Sequence, residues 1–597
     1  MAALNLRARQ KHALLRMLNL NEEPSSSSSS SSQAPGMMVG MGGAQAAAAA
    51  AMMAPEVYKV LVLDPYTRDV LSPVLRLNEL RRTGVTLLLM VDGERQVVPD
   101  VPAVYFCRPT SENVERIAQD LATGTYEVAH VNFSAPCPDR CMGDLAAGLL
   151  KGGPNDSGCV SRLARCHDQF LGFVCLEPDL FSLALPRSYV TLNDPQSRDG
   201  DIEAAVATIV EGLFCVCATL GAVPIIRCQR GGVAEHVARG LEEYLRKHLS
   251  LRDNAFAPAA ATHGGRMGGM MGARARPLLV LFDRNFDLSP QLQHPWSYQG
   301  LVHDVLGLRL GRVANVATDG DASGGSGGGS KRQYDVGPED FFWVQNGSKP
   351  FPKVAEDVEA QLNKYKRDMA AINAETAGAD GAAGLGGAGM GGEEDARLEA
   401  NTKQLMNAVS SLPELTERKR VIDKHTNIAT ALLGEIKQRQ LDAFCSAEEE
   451  LLAGKADKAA VLKTLAMGKG SPSDKLRLAL VWLLSAEPAP PNGDVDEVAD
   501  VLKGAGADVA ALAYVRRLRT LGLAGSQKAK PVQVGPGGGA GGGGESAILD
   551  FADKLYAQSL SAVQKGVKTL MGAGRASAAA RVVQGLLEGK QGTEADG

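Results

Sequence analysis

From Val57 onward the chain sets short apolar runs against amphipathic stretches. Val57–Leu63, Val85–Val91, Ala103–Phe106 and Glu127–Phe133 are rich in Val, Leu and aromatic residues and only a few residues long, whereas Val74–Arg82 and Glu112–Ala122 carry helical spacing. Strand-like runs alternating with helices predict βα units, and therefore a parallel sheet covered on both faces. A second cycle follows Asp168, with an apolar run over Phe170–Leu176 and a helix over Ile202–Thr219. A turn at Gly221, a strand over Val223–Cys228, a helix over Val233–Leu249 and a buried strand over Pro277–Phe282 complete it. Two small α/β modules fit this order better than one wide sheet.

Beyond Pro295 helical periodicity dominates to about Leu521. Val354–Asn373 and Arg397–Ser411 flank a Gly-rich insert and predict a long helical hairpin. Helices follow at Glu414–Lys437, Lys458–Leu465 and Ser473–Ser485, the last behind Ser471-Pro472, a turn-and-start signal. The fold class is therefore α/β, with two small parallel-sheet α/β domains plus a large mainly helical domain.

Two segments invite other readings. Arg7, Arg9, Lys11 and Arg16 ahead of the serine run Ser25–Ser32 have the composition of an organelle transit peptide, but Leu4, Leu14, Leu15 and Leu18 equally suit a short amphipathic helix docked on the fold. The longest apolar run, Ile209–Ile226, contains Glu211, two glycines and Pro224. That pattern predicts a buried helix turning into a strand rather than a membrane span, so any membrane association is expected to be peripheral.

Composition changes this picture in one respect. Of 67 glycines, 32 fall in five low-complexity stretches, Pro24–Ala54, Ala261–Ala275, Thr318–Lys331, Thr376–Gly392 and Ala524–Glu545. Outside them glycine returns to about 7%, the globular norm, so roughly 500 residues form ordinary domains interrupted by inserts. A net charge of -5 and few aromatic residues give no support to nucleic-acid binding. Nine of ten cysteines lie between Cys107 and Cys228 without a CxxC pair, which reads as reduced cytosolic thiols.

Candidate chemistry is sparse. Asp64 ends the first strand, where an aspartyl phosphotransferase would hold a metal, but position 66 is Tyr rather than a second Asp; the Pro65 turn makes a strand-end cap the simpler role. Asp283 and Asp287 follow a buried strand and could hold Mg²⁺, though Arg284 between them favours a charge network. Cys137, Cys141, Cys159, Cys166 and His167 follow no zinc-ribbon spacing. GxGxxG at Gly384–Gly389 and GxSxG at Gly324–Gly328 sit in inserts without the strand and helix those motifs require. No metal, cofactor or catalytic set is expected.

Several motifs resemble a known family. Tyr58–Asp64, Gly84–Leu87, Val98–Phe106, Leu220–Cys228 and Pro277–Asp287 are similar to segments of the Sec/Munc (SM) family of SNARE-binding proteins. So are Trp296–Gln299, Leu301–Asp304, Ser410–Leu415 and His425–Ala429. Asp-Val-Pro-Ala-Val-Tyr-Phe at Asp100–Phe106 and Leu-Gly-Ala-Val-Pro at Leu220–Pro224 look most like the ER-to-Golgi (Sly) branch. The likeness reaches Arg9-Gln10 and Leu18–Asn21, which favours the docked helix over a transit peptide.

The resemblance implies an arch-shaped, non-enzymatic protein. It would bind a syntaxin-type Qa-SNARE through both its N-terminal peptide and its SNARE helix, engage other SNAREs including an R-SNARE, and work with Golgi tethering complexes. It would be a cytoplasmic monomer, peripherally associated with ER and Golgi membranes. Carried over position by position, the pocket for the syntaxin N-terminal peptide is Met142, Leu145, Ala146, Leu163 and Cys166. Met142, Leu145 and Ala146 share one helical stripe by their spacing, and Leu163 and Cys166 are expected on the next helix. The same spacings suit core positions of a βα unit. On the groove reading, Leu145→Lys is expected to abolish peptide binding without unfolding.

The implied domain plan is a helix over 1–23, a disordered linker over 24–54, domain 1 over 55–166, domain 2 over 167–295 and domain 3 over 296–523. The SNARE-binding hairpin occupies 354–411, and its Gly-rich insert is a candidate lid. A Gly-rich linker spans 524–545, and 546–597 forms an incomplete return to domain 2, whose sheet would then lack an edge strand. The competing reading is an α/β metal-dependent hydrolase or phosphotransferase using Asp64 or Asp283.

Overall fold

The computed structural model describes residues 5–20, 57–150, 157–251, 256, 276–317, 331–382, 393–522 and 577–588, with the backbone alone at 157–158, 315, 317, 331, 372–382 and 393–412. The linkers expected over 24–54 and 524–545, the hairpin tip at 383–392 and most of 546–597 lie outside the described residues. The chain divides into two compact units, Met1–Asp283 and Arg284–Ala595.

In the first unit, α1 (Leu6–Leu18) precedes β1 (Lys59–Leu63), α2 (Pro65–Leu71), α3 (Leu77–Arg82), β2 (Val85–Met90), β3 (Ala103–Cys107), α4 (Ser111–Thr123), β4 (Ala129–Phe133), α5 (Asp139–Leu150), α6 (Ser157–Ser161) and β5 (Leu163–Asp168). The five strands are all parallel, in the order β2-β1-β3-β4-β5. Every residue of β1 and β3 is buried, which is why both read as continuous apolar runs. Val60, Val62, Tyr105 and Cys107 pack on one face with Val114, Ile117, Leu145 and Leu149 of α4 and α5. Leu61, Leu63, Val104 and Phe106 alternate with them and bury against the other face. The helix expected over Val74–Arg82 is α3, which begins at Leu77, and α2 ahead of it was not anticipated. Asp64 caps α2 and Pro65 occupies its opening turn.

The helix α1 is tied down by side chains that reach backbone carbonyls far along the chain. Arg7 donates to Leu176 and Pro73, Arg9 to Leu220 at 2.6 Å, and buried Gln10 to Phe173 at 2.8 Å. Lys59 in turn donates to Leu18 at the end of α1. The leucine spacing that allowed an amphipathic helix is thus realised, with Leu14 and Leu18 fully buried.

The second cycle forms β6 (Val174–Glu177), β7 (Leu180–Ser182), α7 (Ser188–Asn193), α8 (Asp199–Leu220), β8 (Ile225–Cys228), α9 (Val233–Leu249) and β9 (Leu278–Leu281). Among the described residues β8 and β9 pair in parallel, whereas the run at Phe170–Leu176 contributes to an antiparallel β6–β7 hairpin. α8 is long and apolar enough to cross a membrane by length and composition. Its residues Gly212–Cys217 are nevertheless buried, and Phe214 packs edge-on against Tyr244 and His248 of α9. Gly221 adopts φ +60 as its C-cap, a conformation glycine enters without penalty.

The second unit opens with α10 (Ser289–Leu292) and α11 (Tyr298–Leu301), which runs into a π-helical turn at Val302–Leu306. Then β10 (Leu308–Arg309), β11 (Arg312–Ala317) and β12 (Lys331–Asp335) make an antiparallel sheet that the helical reading of this region did not anticipate. Val313 and Val316 are three apart, a helical spacing, but a bulge between them turns both into the core. Helices follow as α12 (Phe341–Asn346), α13 (Phe351–Ala382), α14 (Glu393–Arg439), α15 (Leu441–Leu452), α16 (Lys458–Leu465), α17 (Pro472–Ser485), α18 (Asn492–Gly504), α19 (Ala510–Thr520) and α20 (Ala578–Leu587). The expected hairpin is α13 with α14. The helices expected over Arg397–Ser411 and Glu414–Lys437 are one 47-residue helix that runs through Pro413, with the proline ring exposed to water instead of wedged into a core. Ser471 caps α17 through a capping box with Asp474, as the Ser-Pro signal indicates.

Candidate peptide-docking site

In the first unit, α5 lies beside α4 on one face of the sheet and β5 forms that sheet's edge. Gly148 lets the helices approach closely, since a Cβ there would meet the Ala118 methyl at 2.6 Å. Cys141 Sγ donates to Pro109 C=O at 3.3 Å, and the Cys137 N–H reaches Asp168 Oδ1 at 3.2 Å, so the entry to α5 is fastened to the end of β5.

This packing sorts the sequence-derived residues. Leu145 is 2% exposed and belongs to the core, together with Cys141 and Leu149. Met142 is 41% exposed and Ala146 faces solvent, so the outward stripe of α5 is Met142, Ala146 and Leu150, the last 69% exposed. Leu163 and Cys166 are not on a helix. They lie on β5, half-buried against the same core, because the register slips between Ala129 and His130 and pairs Leu163 with Ala129 but Cys166 with Val131. The resulting bulge puts residues three apart on one face of a strand, the spacing that reads as helix. Two apolar residues escaped the sequence reading: Leu150, four beyond Ala146, and Val160 of α6, which is 50% exposed.

The side chains around this surface are suited to contact rather than to covalent chemistry. Burial, with Asp168, Cys141 and Cys166 adding to it, raises the Cys137 thiol to about 12, and burial with Asp168 likewise raises Cys166. Both therefore remain protonated thiols at neutral pH. Among the described residues, no group of three or more His, Cys, Asp or Glu is placed to hold a metal ion.

The two carboxylates considered for catalysis are occupied structurally. Asp64 sits at the switch point between β1 and β3, where α/β sheets commonly bind ligands. There its Oδ1 accepts the Thr67 N–H at 2.7 Å, and its Oδ2 accepts the Arg108 N–H at 3.0 Å and the Asn113 amide at 2.9 Å. Asp283 Oδ1 accepts the Ala234 N–H at 2.9 Å in the first turn of α9. Asp287 accepts from Ser289 and from Ala578, capping α20 from 291 positions away.

In the second unit, an open cleft of about 560 Å³ lies at the root of the α13–α14 hairpin, with Phe341, Lys364, Glu414, Arg418 and Val421 among its walls. Arg418 bridges the two helices by donating to Asp368 and Gln361. Half-buried Phe341 and buried Val421 give the cleft apolar surface beneath a rim of mixed charge.

The strand-end carboxylates are thus engaged at helix starts, and the outward stripe of α5 is apolar on an α/β scaffold. The model of the Sec1 family matches residues 59–594. The SEC1 family transport protein SLY1 of Oryza sativa subsp. japonica is 44% identical over 595 residues, spanning 100% of this chain and 85% of that protein. Its Arabidopsis thaliana counterpart is 41% identical over 597 residues, with 100% and 85% covered. The crystal structure of Sly1p in complex with an N-terminal peptide of Sed5p is similar at TM-score 0.64 and 30% identity, over 86% of this chain and 74% of that one. This chain belongs to the Sec1 family and is not an enzyme.

Proposed function

We propose that this protein binds a syntaxin-type Qa-SNARE and promotes SNARE-complex assembly for vesicle docking and fusion in ER-to-Golgi and intra-Golgi transport. The likeness to Sly1p bound to an N-terminal peptide of Sed5p carries this reading. The peptide dock is the outward stripe of α5, Met142 and Ala146, bordered by Leu163 and Cys166 of β5. Leu145 supports it from beneath. An apolar anchor of the peptide would bury against that stripe. The α13–α14 hairpin with its basal cleft is the region for SNARE helices, the R-SNARE included. Division into domains at 55–166, 167–295 and 296–523, action beside Golgi tethering complexes, and peripheral association with ER and Golgi membranes belong to the same reading.

Calorimetric titration of a synthetic N-terminal peptide of a Golgi Qa-SNARE into the full chain tests it. The wild type is expected to bind, with Met142→Lys and Ala146→Glu each weakening affinity at least about tenfold. A wild type that binds no such peptide would overturn the function. Unchanged affinity in both variants would overturn the site alone.

A further inference from the structure

The cleft at the root of the α13–α14 hairpin is apolar at one end and acidic at the other. On α14 its wall is Glu414, Glu417, Arg418 and Val421, so it follows the helix for two turns, about 10.5 Å. Val421 and Phe341 of α12 share the core of this unit. Asp340, beside Phe341, faces His425 at 2.9 Å, one turn beyond Val421, which places Phe341 at the Val421 end. Val344, one turn on from Phe341, continues that apolar surface outward at 63% exposure. Glu414 and Glu417, both exposed, form the opposite end.

Charge says what fits. Two cations also line the cleft, but Arg418 is committed to Asp368 at 3.2 Å and to Gln361 at 2.8 Å. Lys364 is then the one cation set against the carboxylates of Glu339, Glu414 and Glu417. Arg420 pairs with Glu417 at 3.2 Å, yet both side chains are largely exposed, where an ion pair is worth little and exchanges readily. The walls are helices whose backbone groups are engaged internally, so an extended strand finds no edge to pair with. An occupant must satisfy its own backbone, as a helix does. One face of a helix carries residues four or seven apart, about 6 and 10.5 Å along the axis, and these are the separations of Val421 from Glu417 and from Glu414. An acidic face would meet like charge there.

We propose that this cleft selects a helix whose face carries an apolar residue and, one or two turns away, a lysine or arginine, with Glu414 and Glu417 as the residues that make the selection. The apolar residue buries against Phe341, Val344 and Val421, and the cation lies between the two glutamates. The proposal rests on the reading of the hairpin as the region for SNARE helices, and names the side chains which that region reads.

Fluorescence anisotropy tests it, with the isolated SNARE motifs of a Golgi Qa-SNARE and of an R-SNARE, each without any N-terminal peptide, titrated with the full chain. The wild type is expected to bind at least one motif. The double variant Glu414→Lys, Glu417→Lys should weaken that binding at least about tenfold, and Lys364→Glu should strengthen it about threefold. Val344→Ser should weaken it about threefold. All four positions are exposed, so circular dichroism should stay unchanged. Reversing the basic residues of the bound motif to Glu one at a time should reveal a position whose lost affinity the double variant restores, which a merely structural role of Glu414 and Glu417 would not produce. A wild type that binds neither motif would overturn the hairpin reading and the proposal with it. Wild-type binding that the double variant leaves unchanged or tightens, or a scan in which that variant rescues no position, would overturn the proposal alone.

Discussion

The imidazole of His294 and the carboxylate of Glu448, both buried, face each other at 2.7 Å between Nδ1 and Oε1. The other ring nitrogen faces Asp474 Oδ1 at 3.2 Å, and Arg439 holds Asp474 from its far side. Burial alone would lower the pKa of His294, but its hydrogen bonds to Asp474 and Glu448 and the charge of Glu448 outweigh burial and raise it above 6.5. A histidine with a raised folded pKa contributes stability that is complete below its unfolded pKa and is lost as pH rises through the folded value. The melting temperature should therefore fall more steeply in the wild type than in His294→Gln as pH rises from about 6.5. That variant should lose about 3–5 kcal/mol at acid-to-neutral pH, because two buried carboxylates lose their partner. Equal slopes in a pH series of thermal scans would contradict this.

His425 responds with the opposite sign. Its Nδ1 accepts the Tyr298 hydroxyl at 2.8 Å and its Nε2 faces Asp340 at 2.9 Å, in full burial. Burial outweighs the pull of Asp340, so its pKa is lowered and the ring stays neutral. The unfolded chain takes up the proton first, and stability is lost as pH falls from about 6.5 through the folded value. Tyr298→Phe leaves Nδ1 without its donor, and should cost about 1–3 kcal/mol in urea unfolding at pH 7.

Leu145 and Met142 separate fold from binding. Leu145→Lys, expected on the groove reading to leave the fold intact, puts an ammonium into a site that is 2% exposed. It should lower stability by more than about 3 kcal/mol and abolish cooperative unfolding or soluble yield. Met142→Lys, at an exposed helix position, should shift stability by no more than about 0.5 kcal/mol. Chemical denaturation of the pair distinguishes the inward residue from the outward one.

Asp64 is a structural carboxylate. Asp64→Ala strips the cap of α2 and leaves the donors of Arg108 and Asn113 unmatched, a loss of about 2–4 kcal/mol by thermal or urea unfolding. The wild type should show no turnover of p-nitrophenyl phosphate with Mg²⁺, and Asp64→Asn should differ from it in stability only.

The βα alternation was legible because β1 and β3 are buried on both faces and so appear as unbroken apolar runs. Helix α17 was legible because Ser471 and Pro472 mark its start by local chemistry. Leu163 with Cys166, and Val313 with Val316, were not legible as strand residues. In each pair a bulge lets a strand present residues three apart on one face, and periodicity alone assigns that spacing to a helix. The partner strand β12 also lies beyond a Gly- and Ser-rich stretch, which carries no pairing signal in sequence. Which of Met142, Leu145 and Ala146 point outward depends on where α4 sits, and spacing along one helix does not contain that.

Helix α1 has a consequence for how the chain is made. Its Arg9 needs the carbonyl of Leu220, a contact 211 positions away. At about 5–20 residues per second, translation delivers that carbonyl on the order of ten seconds or more after the helix itself has been synthesised. Until then α1 is only partly seated, on Pro73, Phe173 and Leu176. The earliest element of the first unit therefore waits on later ones for its seat, and a nascent chain held before residue 173 should expose that helix to chaperones and proteases more than one held beyond residue 220.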